Sequence, residues 1–281
     1  MPVASMEVSG SPGSPVRVAF STLAFRGATL ASAVSLGRRW GYAGVELRLI
    51  DGELIDPRMP AAARARVKRT VTAAGLPVVA VDSSIRLTGD DPAPGLRRFL
   101  ELASDWESPL VRVFGGPLAS DSQTRRRQLR GAAAVLESCV PLARRLGVAI
   151  GVETHDDFSA SRVVAELLAL ADPESVGAVW DSHHPHRMGE TPAEVCANLG
   201  RRILLTQIKD ARRRPGNDWQ LVLLGRGEVP VRQMLGLLAA EGYRRWISVE
   251  WEKHWHPEIE GPEVALPQHL SVLATWTEVM R

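Results

Sequence analysis

The feature that most constrains this chain is an eightfold alternation of short β-like runs with longer amphipathic stretches. The strand candidates are 16–21, 44–48, 77–82, 110–114, 148–153, 176–181, 203–209 and 246–251. Between them lie helical patterns such as 60–74, 95–105, 124–146, 161–171 and 231–241, with Gly75, Gly147 and Gly242 where helix C-caps belong. Strict βα alternation implies a parallel sheet, and eight repeats within 281 residues predict a (β/α)₈ barrel, a TIM barrel, built as a single domain over residues 16–281. A doubly wound sheet is the competing architecture. It calls for a Gly-rich phosphate loop after the first strand, where this chain reads Thr22-Leu23-Ala24-Phe25-Arg26-Gly27. Residues 1–15, rich in Ser, Gly and Pro and without a signal-peptide core, read as a disordered N-terminal lead-in.

In a barrel, reactive side chains belong at the C-terminal ends of the strands. Four late strands of this chain end in polar residues: the fifth in Glu153-Thr154-His155, the sixth in Asp181-Ser182-His183-His184, the seventh in Gln207-Ile208-Lys209 and the eighth in Glu250-Trp251-Glu252. Side chains on a strand alternate faces with period two. That parity sends Val148, Ile150 and Val152 outward, and turns Glu153, His155, Gln207, Lys209, Ser248, Glu250 and Glu252 towards the barrel axis. Three carboxylates crowded at one end repel one another unless a cation lies among them. Hard oxygen donors from Glu153, Asp181, Gln207 and Glu250 suit one divalent ion, Mn²⁺ or Mg²⁺.

Six of the seven histidines, His155, His183, His184, His186, His254 and His256, follow strand ends five, six and eight. Of these, His184 is expected to be a substrate contact or an extra metal ligand, and His155 a substrate contact. Arg112 on the fourth strand has axial parity and is a further expected contact or a salt-bridge partner inside the barrel. Trp219 and Trp255 read either as an aromatic lid over the substrate or as packing between subunits. The run Arg125-Arg126-Arg127 reads as a solvated helix face. Cys139 and Cys196 have no metal or redox spacing and read as reduced packing residues.

As a set, several segments resemble the xylose isomerase-like TIM barrel superfamily of sugar-phosphate isomerases and epimerases. They are Gly44-Val45-Glu46-Leu47-Arg48, Gly151-Val152-Glu153-Thr154-His155, Trp180-Asp181-x-x-His184, Gln207-Ile208-Lys209-Asp210, Leu224-Gly225-Arg226-Gly227-Glu228-Val229-Pro230 and Val249-Glu250-Trp251-Glu252. The resemblance spans essentially the whole barrel. It implies metal ligands at Glu153, Asp181, Gln207 and Glu250, with the two glutamates doubling as general acid and base. It also implies substrate contacts at His184 and Lys209, with Arg212 or Arg213 as a substrate clamp and Glu46 beside them. The chain departs from the common pattern at Gln207, where most relatives carry histidine. Glutamine there is similar to what the dehydroshikimate-type dehydratases of that superfamily would show.

These groups suit proton removal next to a carbonyl, with enediolate charge stabilised by the ion. Returning the proton to the opposite face gives epimerisation. Returning it to the adjacent carbon gives isomerisation, and expelling a β-hydroxyl gives dehydration. The expected substrate is a small unphosphorylated sugar, cyclitol or similar polyhydroxy carbonyl compound. Two further readings use other chemistry: a Schiff-base aldolase with Lys209 as nucleophile, and an endonuclease IV-like DNA-repair enzyme. The second needs histidines at early strand ends, where the chain offers Glu46, Arg48, Asp82 and Arg112. A net charge of +2 without a basic tract argues against a nucleic-acid partner. No apolar run reaches membrane-spanning length, so a cytoplasmic location is expected. Barrels of this kind often pair, which leaves a homodimer as an open expectation.

Overall fold

The computed structural model describes residues 17–216 and 218–276, so the expectation for residues 1–15 falls outside the described residues. Eight parallel strands form a closed barrel: β1 (Val18–Ser21), β2 (Gly44–Leu47), β3 (Val78–Arg86), β4 (Leu110–Phe114), β5 (Ala149–Glu153), β6 (Val176–Asp181), β7 (Ile203–Ile208) and β8 (Ile247–Val249). Each strand pairs with its sequence neighbour, and β8 closes on β1 through Val18–Ile247, Ala19–Ser248 and Phe20–Val249. The predicted strands and the observed ones differ by a few residues at their ends, where the fraying of hydrogen bonding is not encoded in the hydrophobic pattern.

Helices follow the strands: α1 (Leu30–Trp40), α2 (Ala61–Ala73), α3 (Pro92–Asp105), α4 (Ser122–Leu146), α5 (Ser161–Leu168), α6 (His183–Arg187), α7 (Pro192–Leu199), α8 (Val231–Ala240) and α9 (Pro262–Thr275). Gly147 closes α4 in the left-handed conformation at φ 66°, as its sequence position predicts. The helices bury their apolar stripes on the outer face of the barrel, where Val45, Val111, Ile150, Val152, Ile208 and Val249 are fully covered. A second, smaller apolar cluster contains Ala19, Ala80, Leu110, Val179 and Leu205. These residues share the axial parity of the polar strand ends and plug the barrel beneath them. Gly151 belongs to this layer, and a Cβ there would stand 2.6 Å from Val179 Cγ2. Only glycine leaves that layer closely packed below Glu153.

Two antiparallel hairpins interrupt the alternation: Leu49–Ile50 with Glu53–Leu54, and Asp210–Arg213 with Trp219–Val222. The second explains the Leu224–Pro230 motif. The Asp210 carboxylate accepts backbone N–H bonds from Ala211, Gly225, Gly227 and Val229 at 2.8–3.1 Å. A Cβ on Gly227 would lie 2.1 Å from Asp210 Oδ1, so the close approach requires glycine. Asp210→Ala is expected to lose about 2–3 kcal/mol of stability in urea denaturation, because several buried N–H groups lose a charged acceptor together. A loss under 0.5 kcal/mol would remove this account of the motif.

Candidate active site

Register brings the polar strand ends into one layer at the C-terminal mouth. Asp181 on β6 stands opposite Gln207 on β7, which stands opposite Ser248 on β8. Phe114 on β4 stands opposite Glu153 on β5, and Ser21 on β1 opposite Glu46 on β2. In consequence Glu153, Asp181 and Glu250 each offer an oxygen within 4.8 Å of the other two. All three are buried. A second group, Glu153 with His155 and His184, meets the same distance criterion.

Two internal cations partly neutralise the carboxylates. Lys209 Nζ lies 2.9 Å from Asp181 Oδ2 and 2.5 Å from Glu250 Oε2, and also bonds Glu252. Arg112 lies 2.9 Å from Glu153 Oε2 and 3.3 Å from Asp82 Oδ2, and donates to the Ser83 carbonyl at 2.8 Å. Asp82 and Glu252, placed by sequence reasoning at strand ends but given no role there, are therefore members of the network. The signal was parity: each faces the axis beside the cation it holds.

Proton affinities follow from this packing. Burial raises Glu250 well above the usual carboxylate range, and the neighbouring Glu153 and Glu252 add to the rise against the opposing pull of Lys209. Burial likewise raises Glu153, although Arg112 opposes it. Glu46 is raised by burial and by the charges of Asp82 and Glu250. Asp181 goes the other way: burial opposes its ionisation, but the Lys209 ammonium overrides burial and holds it below the usual range. Burial would lower Lys209, but Asp181, Glu250 and Glu252 outweigh it and hold its pKa well above the ordinary lysine value. A Schiff-base lysine needs a depressed pKa and a free amine, whereas Lys209 is engaged by three carboxylates, so the geometry lends the aldolase reading no support.

Gln207 Nε2 donates to Glu46 Oε1 at 2.8 Å and to Glu250 Oε1 at 3.2 Å. Glu46 also accepts the Ser248 hydroxyl at 2.5 Å. Gln207 Oε1 is buried and makes no hydrogen bond among the described residues. Asp181 Oδ1 caps α6, accepting the backbone N–H of His183 at 2.7 Å and of His184 at 3.1 Å. Both His184 ring nitrogens are buried without a hydrogen-bond partner, and burial holds the ring neutral by pushing its pKa well below the ordinary value. The His155 ring packs against His184 with centroids 4.6 Å apart, and its Nδ1 sits 2.9 Å from Asp156 Oδ1.

Arg213 stands apart from this cluster. The chain leaves Lys209 as a hairpin rather than a loop, so Arg213 is exposed on it with its guanidinium 5.3 Å from the Trp219 ring centroid. Arg212 is also exposed and donates to the Arg226 carbonyl. Trp219 packs against His183 and His186 at 5.1 and 5.6 Å, over α6. Trp255, following β8, is half exposed. Among the described residues, no helix is long and apolar enough to cross a membrane.

A family model described as a xylose isomerase-like TIM barrel matches residues 34–276. Among solved structures, the IOLI protein with a binding zinc atom superposes with a TM-score of 0.79, at 16% identity over 95% of this chain and 99% of that one. The probable 3-DHS dehydratase AsbF from Bacillus anthracis gives 0.73, at 17% identity over 92% and 99%. An L-ribulose 3-epimerase gives 0.75, at 15% identity over 95% and 96%. Likeness at these identities shows the fold alone. No curated protein matches the chain.

Proposed function

Since the chain belongs to the xylose isomerase-like TIM barrel family, we propose that its barrel mouth is the active site of a divalent-metal-dependent isomerase or epimerase acting on a small polyhydroxy carbonyl compound. The observation that carries this reading is the meeting of Glu153, Asp181 and Glu250 within 4.8 Å at the buried strand ends. These three, with Gln207, would hold the ion. The donor set fits: three carboxylates converge, and the buried Gln207 Oε1 is an oxygen acceptor without a partner. Because carboxylate and amide oxygens are hard donors, Mn²⁺ or Mg²⁺ is the proposed metal. When bound, the ion acts as a Lewis acid on the substrate's carbonyl and neighbouring hydroxyl oxygens.

The chain's own groups do the rest. Burial raises the proton affinity of Glu250 above the usual carboxylate range, which suits a group that takes and returns a proton. Glu153, held by Arg112 at 2.9 Å, is its counterpart. Lys209 steers the Glu250 carboxylate and donates to Asp181 and Glu252, which together occupy its three N–H donors. His155 and His184 stand beside Glu153, and His184 has both ring nitrogens free for substrate oxygens, while His155 Nδ1 is held by Asp156.

Incubating the Mn²⁺-loaded protein in D₂O with a panel of ketoses and keto-cyclitols tests the reading. Deuterium should appear at carbon next to the carbonyl, with an epimer or isomer as product. Absence of exchange across the panel would count against it. A dehydratase is the second reading, favoured by Gln207 at the position where histidine is commoner in the family pattern. In the same assay it gives loss of water and a conjugated carbonyl absorbing in the ultraviolet. Gln207→His should raise the affinity ratio of Zn²⁺ over Mn²⁺, since an imidazole nitrogen is the softer donor. An unchanged ratio would take Gln207 out of the ligand set.

A further inference from the structure

Arg48 follows β2 with the same axial parity as Glu46, and its side chain is buried at 6% exposure. Its Nη1 donates to Ser84 Oγ at 2.9 Å and to the Asp82 carbonyl at 3.3 Å, two neutral acceptors. Its guanidinium carbon stands 5.8 Å from the Phe114 ring centroid, and Phe114 packs on His155 at 4.5 Å. These contacts fix the guanidinium on the wall of the mouth. Among the described residues it forms no ion pair, and its Nε and Nη2 donate to nothing. Arg112, on the same side of the barrel, is in contrast saturated by two carboxylates.

A charged guanidinium taken out of water without a counter-ion is costly, and buried charges are ordinarily paired. Burial and the nearby Arg112 lower the pKa of Arg48 to about 10 against the opposing pull of Asp82, Glu153 and Glu250, which leaves it cationic at neutral pH. Asp82, Glu153 and Glu250 offset its charge only from beyond ion-pair distance, so a contact partner for the free Nε and Nη2 is left to solvent or a ligand. A planar fork with two free donor positions matches a carboxylate in bidentate geometry. A phosphate dianion would face Asp82, Glu153 and Glu250 with one free arginine to offset them, and is disfavoured.

We propose that Arg48 is the recognition residue for a carboxylate on the substrate, which makes the substrate a polyhydroxy carbonyl acid rather than a neutral sugar. The proposal rests on reading the mouth as a small-molecule site, but its test reads binding and needs no turnover. Failure of D₂O exchange would therefore sink the proton-transfer chemistry and leave Arg48 standing, and the converse holds.

The experiment is calorimetric titration of the Mn²⁺-loaded protein with quinate, gluconate and glucuronate, beside myo-inositol, glucose and glucose 6-phosphate. At least one acid should bind the wild type, and more tightly than the neutral polyol of similar shape. Arg48→Gln should weaken that acid by about 30-fold or more, as for truncation of one partner of a buried charge pair, with myo-inositol affinity unchanged. Arg48→Lys, which keeps the charge without the fork, should fall between and guards against a Gln variant that fails to fold. Equal acid affinity in wild type and Arg48→Gln would overturn the proposal. So would neutral polyols binding as tightly as the acids, none of the acids binding, or glucose 6-phosphate outcompeting them through Arg48.

Discussion

Glu250→Gln is expected to lower turnover by about 10² to 10⁴-fold, the range general acid–base groups contribute. The substitution keeps the side chain's size and removes its capacity to take a proton. It acts where that capacity is tuned: burial and two neighbouring glutamates hold Glu250 well above the ordinary carboxylate range. It also strips Lys209 of the partner at 2.5 Å. Elemental analysis separates the two proposed duties of the glutamates. About one equivalent of divalent metal in the wild type, lost in a Glu153→Gln/Glu250→Gln double variant, is the expected result. Circular dichroism and the melting temperature should show both variants folded. Near-full turnover in Glu250→Gln, once a substrate is identified from the D₂O panel, would remove it from the chemistry. A wild type that neither holds metal nor takes up added Mn²⁺ would remove the metal site altogether.

The barrel was legible because two periods coincide in the sequence. Period-two alternation placed Gln207 and Ser248 on the axis and Ile208 and Val249 outside, and the structure pairs and buries them in that way. The convergence of Glu153, Asp181 and Glu250 followed from strand parity plus the closure of a parallel sheet. What was not legible depends on partners far apart in the chain. Lys209 alone reads as a nucleophile, a clamp or a salt bridge. Only the approach of Asp181, Glu250 and Glu252 from two other strand ends decides that it is a saturated cation. Arg213 reads as a loop residue near the substrate because nothing local announces the hairpin. Its pairing with Trp219 spans a Pro–Gly turn region whose composition equally suits an open loop. Arg48 gave the weakest signal of all, since what marks it is the absence of a carboxylate in ion-pair contact among the described residues.

The second large effect concerns the cation on the other wall. Arg112→Met, measured with a chelator present, is expected to cost about 3–5 kcal/mol at neutral pH, the usual result of removing one partner from a buried pair. Two carboxylates, on Asp82 and Glu153, would lose a guanidinium that is itself 2% exposed. In a domain of this size the melting temperature should fall by roughly 10 °C. The pH dependence has a definite sign. Burial already raises the folded-state pKa of Glu153 above its ordinary 4.5, with Arg112 the foremost opposing influence. A carboxyl raised in this way penalises folding as pH climbs from its unfolded value to its folded one. Without Arg112 the folded value climbs further, so the penalty extends to higher pH and grows. Both proteins share the unfolded-state value, so the deficit of the variant relative to wild type should widen only as pH rises above the raised wild-type folded pKa of Glu153, and shrink on acidification towards it. Asp82→Asn in the Arg112→Met background should recover part of the loss, since one of the two stranded charges is gone. A deficit below 1 kcal/mol, or one flat across that pH window, would mean that Arg112 packs within the barrel without neutralising it.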